Sequence, residues 1–232
     1  MAIRPVFLPS CDSRQLFIER DIEFTWHPGF SVQQKQKSIE SLHSRAKSEL
    51  NIESILEIST KSPIDEGVRS SAFNLLIPDK NGSSHYSVES AFQSAKVFER
   101  GGPFSELRNK SSIEAKKDPR LKSHGKLQQF IFFNKVWSLT PETAFYDWLY
   151  INALYQHAEL YQKILTYEAF TDIEFNPQKS LNCQARSAAI FVTIFKKFDI
   201  QKILSSKKLF LEIYPSNNGY SDACDMNQHL LL

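Results

Sequence analysis

Ser87-Val-Glu89-Ser-Ala-Phe92-Gln93-Ser-Ala-Lys96-Val-Phe-Glu-Arg100, closed by Gly101-Gly102-Pro103, is the stretch on which the fold class turns. Serine is a favoured helix cap, and glycines followed by proline end a helix, so the pattern predicts one helix from Ser87 to about Arg100. At about 100° per residue, Glu89, Gln93, Lys96 and Arg100 share a narrow arc opposite an apolar side of Val88, Ala91, Phe92 and Ala95. A carboxylate, an amide and an amine in one stripe can act as acid or base, substrate clamp and nucleophile. The same stripe also reads as a solvated face with Glu-to-Lys pairing.

Outward from this stretch, the second half reads as helical. Ser111-x-x-Glu114 has the capping-box spacing ahead of a short helix that must stop near Asp118-Pro119. Thr140-Pro141-Glu142 sets a cap, a first-turn proline and a first-turn carboxylate in order, which opens a helix running past Leu154. Further helices are predicted over 157–166 and 184–198. Toward the N-terminus, residues 21–28 alternate as a strand does, and Ser31 opens an amphipathic helix through Val32, Ile39, Leu42, Ala46 and Leu50. Residues 55–60 and 72–77 read as short extended runs, 78–82 as a turn, and 209–214 as a strand. The expected fold is therefore mainly α, a multihelical single domain with a few short N- and C-terminal strands. Residues 1–64 are expected to form an N-terminal elaboration packed on the core, 65–213 the main body of the domain, which the resemblance described below implies is catalytic, and 214–232 a polar tail.

Composition closes off several function classes. The 232 residues are 41% hydrophobic and 23% charged, ordinary for a globular protein with a real core, and Phe is abundant at 18 copies. The seven glycines include no pair spaced as G-x-G and none in a G-K-[ST] context, which excludes the dinucleotide fingerprint and the phosphate loop. Cys11, Cys183 and Cys224 are odd in number and far apart, which argues against a disulfide framework or zinc ribbon and fits a cytoplasmic protein. Six histidines form no metal-binding pair, so neither metal nor cofactor is called for. No apolar run is long enough for a membrane span and no signal-peptide core is present. The net charge of +2 means that any nucleic-acid footprint is local. One such place stands out: Arg108 to Lys126 holds seven Lys or Arg against Glu114 and Asp118, a local +5 suited to phosphates or equally to a solvated loop.

Glu89-Ser-Ala-Phe92-Gln93-Ser-Ala-Lys96 resembles the E-H-x-x-Q-x-x-K helix of the NADAR (YbiA-like) family. Ser71-Ala72-Phe73-Asn74 stands where that family has S-N-F. Asn152-Ala153-Leu154 with Gln156-His157-Ala158-Glu159-Leu160 is similar to its A-L-x-x-K-F-x-x-H-x-x-L helix pair, and Phe170-Thr171-Asp172 falls at its L-V-E position. Phe24-Thr-Trp26-His-Pro28-Gly-Phe30, Gln34-Lys35-Gln36-Lys37-Ser38, Ser87–Pro103 and Phe170–Pro177 look like the branch of NADAR antitoxins paired with DarT-type toxins. In that branch the toxin attaches ADP-ribose to guanine in single-stranded DNA, and the NADAR protein cleaves the N-glycosidic bond. Two departures are visible. Ser90 replaces the histidine of the E-H pair, and Asn176-Pro177-Gln-Lys-Ser-Leu-Asn182 replaces a D-x-x-W-G-x-G stretch.

The resemblance implies an ADP-ribosylglycohydrolase without cofactor, acting on ADP-ribosylated guanine of DNA or RNA, releasing ADP-ribose and opposing a DarT-type toxin. An N-glycosidase on riboflavin-pathway intermediates and a non-catalytic toxin- or nucleic-acid-binding antitoxin are the alternatives. Glycosidic cleavage builds positive charge at the anomeric carbon and needs a proton on the leaving nitrogen. Glu89 or Asp172 can supply these, and Lys96 can form a Schiff base with the ring-opened sugar if its pKa is lowered. Lys35 and Lys37 are the fallback amines. Asp172 and Glu174 share one side of an extended segment, a costly pairing to bury. Phe73, Phe92 and Trp137 are stacking candidates, whereas Trp148 reads as core. Asn74, Gln93, Asn182 and Arg186 are candidates for holding guanine, ribose or phosphate.

Overall fold

The computed structural model describes residues 1–12, 15–78 and 85–214. In chain order its elements are β1 (Ala2–Pro9), β2 (Phe17–Phe24), α1 (Val32–Leu50), β3 (Ile55–Glu57), α2 (Asp65–Arg69), β4 (Leu76–Pro78), β5 (His85–Ser87), α3 (Val88–Ser94) and β6 (Lys96–Phe98). A 3-10 turn at Ser105–Asn109 precedes α4 (Ser112–Lys116), α5 (Arg120–Ser123), β7 (Leu127–Phe132) and β8 (Lys135–Trp137). The chain continues through α6 (Ala144–Tyr155), α7 (Ala158–Ile164), β9 (Ala169–Thr171), α8 (Gln184–Lys197), α9 (Ile200–Ser205) and α10 (Lys207–Glu212).

This corrects the mainly α expectation. The described residues are 44% helical and 20% strand, with three sheets, so the fold is mixed α/β. The largest difference lies at residues 87–100. The helix there stops at Ser94, with Ala95 as its cap, and Lys96–Phe98 turns into a strand paired with β7 through Lys96↔Phe130 and Val97↔Gln129. Ile131 N donates to Ala95 O at 2.8 Å, so sheet pairing captures the backbone where the helix would have continued. The predicted C-terminal strand at 209–214 falls mostly within α10 instead: Ser206 caps it, and Phe210 is buried against Tyr214 one turn on. The helix expected from Thr140 begins at Ala144, after Thr143, whose hydroxyl donates to Asp147 at 2.8 Å. Most of the predicted turn at 78–82 and nearly all of the polar tail lie outside the described residues.

Two compact units divide the chain. The first comprises residues 1–71, 157–176 and the described part from 183 onward. Its four-stranded sheet runs β2-β1-β9-β3, with β1 antiparallel to β2 and β9, and β3 parallel to β9. One face, carrying Val6, Ile22 and Phe24, packs on Ile39, Leu42 and Ala46 of α1. Helix α8 packs against β1 and β9. Ser31 caps α1 as its sequence indicates, its hydroxyl accepting from Gln34 N.

The second unit comprises residues 72–156 and 177–182. Its three-stranded sheet β6-β7-β8 is antiparallel, and β4 pairs with β5 as a separate ribbon. Phe92, Phe130, Phe145 and Trp137 form its aromatic centre, with Phe130 and Phe145 at 4.8 Å. Ser111 and Glu114 form the capping box of α4.

Candidate active site

The second unit gathers Glu89, Phe92, Gln93 and Lys96 around α3, a helix whose every residue is buried. Ser87 caps it by accepting from Ser90 N at 3.0 Å, which places Glu89 in the first turn, where the helix dipole favours a carboxylate. Glu89 N donates to Ala72 O at 2.9 Å and Gln93 Nε2 donates to Glu89 Oε1 at 3.0 Å. The half-exposed Lys116 ammonium stands 3.7 Å from Glu89 Oε1 and 5.0 Å from the ring centre of Phe73. Phe73 is half-buried and Asn74 exposed. The other amide atom, Gln93 Oε1, is buried and accepts no hydrogen bond among the described residues. Such an acceptor suits an N–H supplied by a ligand.

Lys96 sits off the helix and still belongs to this cluster. It is fully buried, its Nζ 4.9 Å from the centre of the Phe92 ring. Burial pulls its pKa from the ordinary lysine range down to about 7; Glu89 opposes that shift and Lys116 adds to it. A large part of the Lys96 population is therefore neutral amine near pH 7, the form that attacks carbonyl-like carbon. Arg100, expected on the same stripe, is instead exposed, its backbone N bonded to His124 O at 3.0 Å.

Gly102 holds this strand from outside. Its φ is +100°, and a Cβ there would lie 2.3 Å from Lys96 O. Gly102→Ala is expected to destabilise the protein by about 2 kcal/mol or more, seen as a lower denaturant midpoint. An unchanged midpoint would show that the Lys96 backbone can shift freely.

Ser90 occupies the position of the family's histidine and does structural work there. Its hydroxyl donates to Lys110 O at 3.0 Å and lies 2.9 Å from Ser87 Oγ. Ser87 Oγ is 2.7 Å from Ser112 Oγ, which donates to Phe73 O at 2.8 Å. This chain of hydroxyls ties the Phe73 backbone, the start of α3 and the start of α4 together. It thereby sets Phe73 and Lys116 beside Glu89.

The remaining candidates divide. Trp137 is 1% exposed, packed among Phe145 and Trp148 at 5.5 and 5.1 Å. Asn182 keeps a buried Oδ1 without a partner among the described residues. Asp172, Glu174 and Arg186 belong to the first unit, with the Arg186 guanidinium 5.8 Å from the Phe17 ring. Lys35 Nζ is held by Glu174 at 2.9 Å and lies 4.8 Å over Trp26, while Lys37 is exposed.

The first unit also contains a carboxylate that sequence reading passed over. Glu57, in the apolar run Ile55–Ile58, is 1% exposed and accepts from Thr171 Oγ1 at 2.7 Å and Ile173 N at 2.8 Å. Its only sequence signal is a charge inside a run that is otherwise buried. Burial and the charge of Glu57 push Asp172 up to about 8, and burial likewise raises Glu57. His43 Nε2 is 2.8 Å from Thr171 Oγ1, and burial drives its pKa down to about 4, so it is neutral. With Thr171 donating to Glu57, His43 Nε2 carries the proton toward Thr171.

A buried near-neutral amine beside a carboxylate defines a class of site, one equipped for covalent amine catalysis at an electrophilic carbon. The family follows from the sequence as a whole: residues 2–223 match the model described as DarT1-associated NADAR antitoxin, and the chain belongs to that family of antitoxins. None of the curated proteins compared matches the chain. Among the described residues, no helix is long and apolar enough to cross a membrane.

Proposed function

We propose that this antitoxin is an N-glycosidase that removes ADP-ribose from guanine in single-stranded DNA, reversing in the cytoplasm the modification made by a DarT-type toxin. The observation that carries this reading is the Lys96 amine, fully buried, with its pKa lowered to about 7, in one cluster with Glu89. Membership of the DarT1-associated NADAR antitoxins supports an antitoxin role, and the motif resemblance supports ADP-ribosylated guanine as the substrate.

In this mechanism the glycosylated guanine nitrogen gives up its N–H proton, which Glu89 carries to the ribose ring oxygen. The ring opens and leaves a C=N bond at the anomeric carbon. Neutral Lys96 adds to that carbon, and the guanine amine departs with both protons of the lysine amine, leaving a Lys96 Schiff base. Water then hydrolyses the Schiff base, releasing ADP-ribose and restoring the amine. Gln93 Oε1 accepts a hydrogen bond from the substrate, and Phe73 with Lys116 forms the exposed rim that receives it.

The test is incubation of purified protein with a single-stranded oligonucleotide bearing ADP-ribosyl-guanine, read as the unmodified strand by mass. Wild-type protein restores the strand, while Glu89→Gln slows release on the order of a hundredfold or more. Full activity in Glu89→Gln would remove Glu89 from the chemistry. A wild type that binds the oligonucleotide without releasing ADP-ribose would make this antitoxin a binding module.

A further inference from the structure

The second unit has another concave region, lined by none of the residues assigned above to chemistry. Two cavities of about 160 and 170 Å3 share Phe132 and Phe133 as walls. The larger is completed by Tyr86, Trp148, Asn152 and Gln156, and Arg108 borders the smaller. Trp148 Nε1 is buried and, among the described residues, donates to no acceptor.

The wall between them is unusual. Phe133 and Asn134 form the two-residue turn of the β7–β8 hairpin, with φ of 44° and 62°. Asn and Gly are the usual residues in such a turn, because a bulky side chain at positive φ is strained. Phe133 holds that conformation with 39% of its surface exposed. Strain kept at an exposed aromatic points to a use for the ring.

Charge identifies the use. The Arg108 guanidinium lies 4.6 Å from the centre of the Phe133 ring and 5.9 Å from that of Tyr86. Much of the basic segment is already neutralised: Arg120 pairs with Asp118 and Glu106, and Lys110 with Asp118. Among the described residues no carboxylate pairs with Arg108, so its charge remains available at the edge of the cavities. An exposed aromatic ring, a cation beside it, a cavity of nucleobase size and a buried N–H donor together match one nucleotide: a base for the ring and cavity, and a phosphate for the cation.

We propose that the Phe133 hairpin and Arg108 form a subsite for a nucleotide of the single strand flanking the modified guanine. Its base stacks on Phe133 within the Tyr86–Trp148 cavity and accepts from Trp148 Nε1, and its phosphate rests on Arg108. The proposal deepens the proposed function by assigning part of the substrate; binding of unmodified strand is nevertheless independent of catalysis.

The experiment measures binding of a fluorescein-labelled, unmodified single-stranded 12-mer by anisotropy, at several salt concentrations. Phe133→Ala is expected to weaken binding about tenfold or more, while Phe133→Trp, which keeps a stacking surface, stays near wild type. Arg108→Gln is expected to lower the slope of log affinity against log salt by about one. Wild-type protein that does not bind the 12-mer, or equal affinity in Phe133→Ala, overturns the subsite. So does loss of toxin binding in Phe133→Ala with oligonucleotide binding intact, which would make this face a protein interface. Hydrolysis of modified strand, read separately, distinguishes the two claims. Activity with no effect of Phe133→Ala on binding leaves the enzyme and removes the subsite. The reverse pattern removes the enzyme and leaves the subsite.

Discussion

Lys96→Met is expected to abolish ADP-ribose release, with a loss on the order of a thousandfold or more, and to yield a more stable protein. The loss follows because no other amine in the α3 cluster is buried: Lys116, the nearest to Glu89, is half-exposed and paired with it. The gain follows from linkage. The folded-state pKa of Lys96 is about 7, below the ordinary lysine value of about 10.4, so between these limits the folded protein binds fewer protons than the unfolded chain. Wild-type stability from this group therefore rises as pH goes from 7 to 10.5, and the full penalty is present below pH 7. Methionine, close in shape and uncharged, removes the penalty, so the Tm difference is largest below pH 7 and shrinks toward pH 10. Thermal melts at pH 6, 8 and 10 check the sign. A variant less stable than wild type at pH 6 would mean that the buried ammonium is well satisfied. Wild-type activity should correspondingly climb through about pH 7 as the amine loses its proton.

The second large effect lies in the first unit. Asp172→Asn is expected to raise Tm by several degrees at pH 8.5. Asp172 has a folded-state pKa of about 8 against about 3.9 for an unfolded aspartate, and Glu57 beside it is raised as well. Between pH 4 and 8 the folded protein thus binds more protons than the unfolded chain. Stability from this pair is full below pH 4 and is lost as pH rises through 8. Asparagine deletes the charge that is hardest to bury, so the gain grows with pH and is greatest above 8. A lower Tm instead would point to a hydrogen bond from Gln184 that asparagine cannot keep.

Local rules made part of this molecule legible. Ser31 before α1, the Ser111–Glu114 box before α4 and the apolar spacing of α8 all act through contacts within a few residues, and their elements form where the pattern places them. What failed depends on partners far along the chain. Strand β1 contains Pro5 and Pro9, which argue against a strand; yet β9 meets β1 only at Phe7, so Pro5 owes no hydrogen bond on that side. Lys96 leaves the helix because β7, some 30 residues on, claims its backbone through the Lys96↔Phe130 pair. The candidate site shows the same division. Glu89 and Gln93, four residues apart on α3, were readable as a pair and are bonded to each other. Lys96 was named on helical spacing and reaches the cluster from a strand. Glu57 was invisible because its partner Asp172 lies more than a hundred residues away, joined to it by the β3–β9 pairing.

The central claim is that Lys96 carries the ADP-ribosyl group. Mixing wild-type protein with single-stranded DNA bearing ADP-ribosyl-guanine in the presence of borohydride, followed by peptide mass analysis, tests it most directly. A reduced ADP-ribose adduct is expected on the peptide containing Lys96, absent in Lys96→Met and absent when unmodified DNA is used. Restoration of the DNA strand with the Lys96 peptide unmodified would contradict it.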